Sequence, residues 1–195
     1  MKRSTFESIK VVFMAGLVPN RGNYRQLLCY RKAEAIYDIT YHFVMHFVEH
    51  GDRTRDQMVQ AARSGKQNIA EGYAAGATSK ETELKLLNVA KSSLNELLED
   101  YLDYLRTRRL RRWEESSVEM KRAQELGKEH NDTEFWMSIV ENRGDETVAN
   151  IAIVLLYQAD YLIYKYIQSV EARFLEQGGF REKLSTERRR ARGQK

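Results

Sequence analysis

The stretch "RTRRLRRW" places Arg106, Arg108, Arg109, Arg111 and Arg112 within seven positions, with no acid among them, and closes on Trp113. Guanidinium groups pair with phosphate oxygens two bonds at a time, and an indole offers a face on which a base can stack. A second run, "ERRRAR" at 187–192, supplies Arg188, Arg189, Arg190 and Arg192. The chain therefore has two clusters able to grip phosphates, and RNA or DNA is the first candidate partner. Arginines at a helix end also complement the helix dipole, but five in seven positions exceed what capping needs. A protein partner with an acidic surface would use the same side chains.

Other residues are less specific. His42, His46 and His50 stand four residues apart, a spacing that could turn imidazoles to one side of a helix for a metal. The trio drifts along the edge of an apolar stripe, and no Glu-x-x-His pair of the di-iron type occurs. No metal site is expected. Glu96, Glu99, Asp100 and Asp103 are read as a solvated helix face, and Asp160, inside an apolar line, as the acceptor of a tyrosine hydrogen bond. No phosphate-binding glycine loop, nucleophile elbow or zinc-protease helix is present. Catalytic residues and cofactors are therefore expected to be absent, and the chain is not read as an enzyme.

The elements that must position these groups are helices. One proline, Pro19, stands in 195 residues, so nothing after it interrupts a long helix. The net charge of +4 divides unevenly: residues 1–32 carry +6 and 181–195 carry +5, which leaves −7 on 33–180. Both ends favour a polyanion and the body does not. The single Cys29 fits a reducing cytoplasm. The apolar stretch Val11 to Val18 is too short for a secretory leader and lacks a small-residue cleavage site, and Met14 is an alternative start. No membrane association is expected.

Four long helices are expected, over about 24–49, 53–75, 79–106 and 145–176. Ala33, Ile36, Thr40, Phe43 and Phe47 mark the apolar face of the first. Gly51 stops it and Asp52 caps the second. Thr78 and Glu81 are read as a capping box before the third. The charged stretch 107–144, with short helices starting near Ser116 and Asn131, reads as a surface excursion. On the fourth, Val148, Ala152, Leu155, Ala159, Leu162 and Tyr166 form a 3.5-residue seam. Ile153, Leu156, Ile163, Ile167, Val170 and Phe174 lie on another face, and this surplus predicts a homo-oligomer or cover from the excursion. Gly65 and Gly72 fall on the inner face of the second helix with Asn68 and Ile69 between them. Glycine costs about 1 kcal/mol against alanine in a helix, so the pair is expected to admit a neighbouring backbone. Asn68 and Glu71 are expected to bond across helices or to a turn.

"AARSGKQNIAEG", followed by "TSKETELKLLNVAKSSLNELLEDYLDYL", resembles a bacterial four-helix-bundle family first noticed as reading frames inside intervening sequences of large-subunit ribosomal RNA genes. "GNYRQLLCYRKAEAIYDITYHF" at 22–43 and "LEQGGFREKL" at 175–184 are similar to its four helix bundle suffix domain subset. The wider family includes the accessory protein of diversity-generating retroelements, a pentameric barrel that binds nucleic acid and assists a reverse transcriptase. The resemblance therefore implies a reverse transcriptase or another nucleoprotein as a partner. The acidic body departs from that relative's evenly basic surface.

These readings converge on an all-α, antiparallel up-down four-helix bundle over 23–180 with the insertion at 107–144, an arm at 1–22 and a basic, mobile tail at 181–195. The expected function is a non-catalytic oligomer that binds nucleic acid or a nucleoprotein through its arginines. The alternative is a structural oligomer or protein-interaction adaptor with no nucleic-acid role.

Overall fold

A computed structural model of the chain describes residues 22–177, together with Ser185, Arg188, Arg189 and Gly193. The described residues form six α-helices and no strand: α1 (Leu28–Phe47), α2 (Arg53–Ala75), α3 (Lys80–Thr107), α4 (Val118–Glu129), α5 (Thr133–Val140) and α6 (Asp145–Gln177). A single 3-10 turn, Tyr24–Gln26, precedes α1.

Local chemistry sets most boundaries. Gly51 takes φ +103°, a left-handed conformation that closes the end of α1. Asp52 then accepts from the Thr54 amide at 2.9 Å and opens α2. At the next turn the cap is Ser79 rather than Thr78. Ser79 Oγ accepts from the Thr82 amide at 3.1 Å, while the Thr78 hydroxyl donates back to Ala75 O at 3.3 Å. Glu81 pairs with Lys85 at 2.8 Å. The shift follows from the preceding turn, which already holds Thr78 against the end of α2.

Among α1, α2, α3 and α6 the most extensive packing runs in the order α1–α2–α3–α6 and back to α1. Phe43 lies at the centre of this ring, its ring centroid 4.9 Å from Tyr101 and 4.7 Å from Tyr104. The Tyr101 hydroxyl donates to Thr40 Oγ1 at 3.1 Å, which satisfies two buried polar groups at once. In the first turn of α3, buried Glu83 holds Lys80 at 2.9 Å and accepts from the Tyr166 hydroxyl at 2.7 Å, tying α3 to α6.

Close approach explains the glycines. A Cβ on Gly65 would lie 2.5 Å from Leu94 Cδ2, and one on Gly72 would lie 3.3 Å from both Glu83 O and Leu86 Cβ. Asn68 does not bond across this contact as expected. Its amide donates to Ser64 O at 2.9 Å within α2, and Ser64 Oγ meets Ser93 Oγ of α3 at 3.0 Å. Ile69 is buried, whereas Glu71 is exposed with no hydrogen bond or ion pair among the described residues. At the surface its carboxylate is solvated and needs no bond across helices.

Residues 107–144 are more than a surface excursion. Trp113, Met120, Ala123, Trp136 and Val140 join the same buried cluster as the long helices. Buried Lys32 of α1 fastens the stretch, its Nζ donating to Gly127 O and, at 3.2 Å, to His130 O at the C-terminal end of α4. This packing also accounts for the two apolar faces of α6. Val148, Ala152, Leu155 and Ala159 are buried, and so are Ile153, Leu156, Ile163 and Val170, all within one chain. Leu162, Tyr166 and Ile167 are half-buried, and Phe174 is 41% exposed. Length and composition would allow Asp145–Glu176 to cross a membrane, but 61% of that apolar window is buried inside the protein, as in a core helix.

Candidate nucleic-acid interface

The arginine run begins where α3 runs out. Leu105 O accepts the Leu110 amide at 2.9 Å, and Arg109 takes φ +57°, so the chain turns sharply there. It then crosses toward α6, where buried Asn150 holds it. The Asn150 Nδ2 donates to Arg111 O at 2.9 Å and its Oδ1 accepts from the Trp113 amide at 2.8 Å. Residues 111 and 113 are thus fixed by their backbones, with the exposed Arg112 between them.

The five arginines meet different environments. Arg111 is neutralised: its guanidinium pairs with Glu119 and approaches Glu146 at 3.9 Å. The bond to Glu119 pushes the Arg111 pKa up, and the same contact pulls the Glu119 carboxyl down. Arg106 pairs with Asp103 at 2.7 Å in an exposed contact of little net strength. Arg108 lies 3.8 Å over the Tyr104 ring, Arg112 donates to the Tyr157 hydroxyl at 3.2 Å, and Arg109 is exposed. Arg108, Arg109 and Arg112 have no carboxylate within ion-pair distance among the described residues. Trp113 corrects an expectation. It is only 8% exposed and packs in the core, because the stretch that carries it is folded onto α6. In the tail, Arg188 and Arg189 are exposed and Arg189 donates to Ser185 Oγ at 3.3 Å, while Arg190 and Arg192 lie outside the described residues.

Beside Arg112 a groove of about 1010 Å³ opens between α1, α4 and α6, lined by Leu28, Lys32, Trp113, Met120, Tyr157 and Tyr161 among others. Burial draws the Lys32 pKa down to about 8, partly opposed by the Asp132 carboxylate.

The remaining candidates stay apart from this region. The His42 and His46 rings lie 4.2 Å apart at a tilt of 31°, and burial and then the neighbouring His46 lower the pKa of His42. Among the described residues no group of three His, Cys, Asp or Glu side chains is placed to hold a metal. Glu96, Glu99 and Asp103 are exposed, and the half-buried Asp100 carboxyl is raised by burial, then by Asp103 and Glu96. Asp160 faces Lys91 Nζ at 3.2 Å rather than a tyrosine. A lysine one helix away on α3 reaches it, which the α6 sequence alone could not reveal.

A family model described as 23S rRNA-intervening sequence protein matches residues 25–132, from the turn before α1 through α4 and including the arginine run. The chain belongs to that family. No curated protein and no solved structure matches the chain. Three residues of consequence escaped sequence reading: Asn150, Lys32 and Glu83. Each is polar and sits within a helical pattern where it resembles a surface residue. Only its spacing to other apolar positions hinted that it faces inward. Asn150, for example, lies between Ala149 and Ile151, both buried.

Proposed function

We infer that this chain is a non-catalytic RNA-binding protein, built as an antiparallel up-down four-helix bundle with a helical insertion. The closed order of packing among α1, α2, α3 and α6 favours that arrangement. The observation that carries the RNA reading is the exposure of Arg108, Arg109 and Arg112, none in an ion pair among the described residues, at the end of α3. Their guanidiniums are available for phosphate, whereas Arg111 is engaged. The family description, which names ribosomal RNA, agrees in kind. The tail arginines add a second contact, and a nucleoprotein such as a reverse transcriptase would meet the same cations. This reading does not require a homo-oligomer.

The test is fluorescence anisotropy of a labelled single-stranded RNA titrated with the full chain at rising salt. Binding in the micromolar range that weakens steeply with salt is expected, and deleting 181–195 should flatten the slope. An absence of salt-sensitive binding even at low ionic strength would assign the arginines to a protein partner instead.

A further inference from the structure

Tyr157, Tyr161 and Tyr164 follow one another on α6 at steps of four and three residues, so they form a single stripe along the helix. They are 46%, 58% and 46% exposed, the largest aromatic surface that α6 leaves uncovered. Each has its own cation. Arg112 Nη2 donates to the Tyr157 hydroxyl at 3.2 Å, Lys165 Nζ lies 5.7 Å from the Tyr161 ring centroid, and Lys91 Nζ lies 5.8 Å from that of Tyr164. The one carboxylate within the stripe, Asp160, is matched by Lys91 at 3.2 Å. A strand of bases and phosphates calls for both rings and cations, at a repeating interval.

The interval also selects the kind of strand. A helical rise of 1.5 Å per residue spaces the rings by about 6 Å and then about 4.5 Å along the axis. Successive nucleotides of one stacked strand are about 3.4 Å apart. An extended strand with parted bases fits that spacing, and a duplex, whose base faces are hidden, does not. At its Tyr157 end the stripe borders the groove, which Tyr157 and Tyr161 line together with Lys32 and Lys128. There Gln158 donates through Nε2 to Gln124 O at 2.9 Å, but its buried Oε1 has no hydrogen-bond partner among the described residues. That oxygen is wedged against Gly127 of α4 and takes no part in binding. Glu114 and Glu115 line the same groove beside Arg112 and disfavour phosphate within it.

We propose that the Tyr157–Tyr161–Tyr164 face of α6 stacks successive unpaired bases of single-stranded RNA, with the phosphates on Arg112 and Lys165, while Lys91 is held by Asp160. The inference rests on the RNA-binding reading and adds that affinity depends on the bases as well as on charge. It lies outside the matched residues 25–132 except for Lys91 and Arg112.

The experiment compares a single-stranded RNA 12-mer with an abasic 12-mer of equal charge, against the full chain, its Tyr157→Ala, Tyr161→Ala and Tyr164→Ala variants, and the three Tyr→Phe variants. The wild type should prefer the base-bearing strand. Each alanine should weaken that strand by about tenfold, leave the abasic strand and the salt slope unchanged, and be rescued by phenylalanine. Equal binding of both strands, untouched by the alanines but sensitive to salt, overturns the stacking surface and spares the phosphate contacts. No salt-sensitive binding at all overturns both. Should the alanines instead turn a dimer into a monomer in light scattering, with RNA affinity unchanged, the stripe is an interface between copies and the inference fails.

Discussion

Single residues decide where the arginines point. Asn150 is 1% exposed, and its two arms close on Arg111 O and the Trp113 amide. Asn150→Ala strands both backbone groups near the core, and the expected loss is about 1–3 kcal/mol, read by denaturant unfolding. A smaller loss would mean that water replaces the side chain there. Lys32 yields a prediction about pH. Its pKa falls from 10.5 to about 8 on folding, and a neutral amine still has two N–H groups for Gly127 O and His130 O. Above pH 8 the unfolded chain holds more protons than the folded one, so stability from Lys32 rises with pH until the unfolded lysine also titrates. Cys29, pushed from 9.0 to about 12 by burial, opposes this from pH 9 upward, which leaves pH 8 to 9 as the clean window. Over that unit the stability of wild type relative to Lys32→Met should grow by about 1 kcal/mol. A difference that stays flat with pH contradicts the placement of the amine. Neither residue could be assigned from the sequence, because burial of a lone polar side chain depends on what another helix brings to it.

At the scale of elements the sequence was far more legible. The boundaries of α2 follow from Asp52 and the glycine before it, and the two glycines inside α2 mark its contact with α3 because a helix gives up stability only where space demands it. Leucine at Gly72 would have to displace the Glu83 carbonyl and Leu86, so Gly72→Leu should destabilise by about 1–3 kcal/mol or more. At an exposed site leucine would be the better helix former, so a raised melting temperature for this variant contradicts the close contact. What the sequence left hidden lies in the insertion. Its charged residues outnumber its apolar ones, and which of the apolar ones reach the core, Trp113, Met120, Ala123, Trp136 and Val140 among them, is decided only when α1 and α6 are brought beside them. For the same reason the sequence left open whether a second copy or the insertion covers the second face of α6, of which Ile153, Leu156, Ile163 and Val170 are buried within the chain and Phe174 is exposed.

On the whole molecule, basic ends flank an acidic body, and affinity for a polyanion must come from a few placed cations rather than from the general field. Composition alone placed five arginines together, but it could not separate those held by carboxylates from those left open, because Glu119 and Glu146 are brought to Arg111 by the fold. The arginines therefore differ in rank, with Arg108, Arg109 and Arg112 open to phosphate and Arg111 held by Glu119 and Glu146. The most direct test is the salt dependence of single-stranded RNA binding by wild type, by Arg108→Ala/Arg109→Ala/Arg112→Ala together, and by Arg111→Ala alone. Each phosphate contact on a single strand contributes about 0.7 to the slope of log affinity against log salt. The triple variant should lose about 2 from that slope, while Arg111→Ala leaves it nearly unchanged and both keep the helical spectrum of wild type. A slope that the triple variant does not move, or that Arg111→Ala flattens as much, contradicts the account.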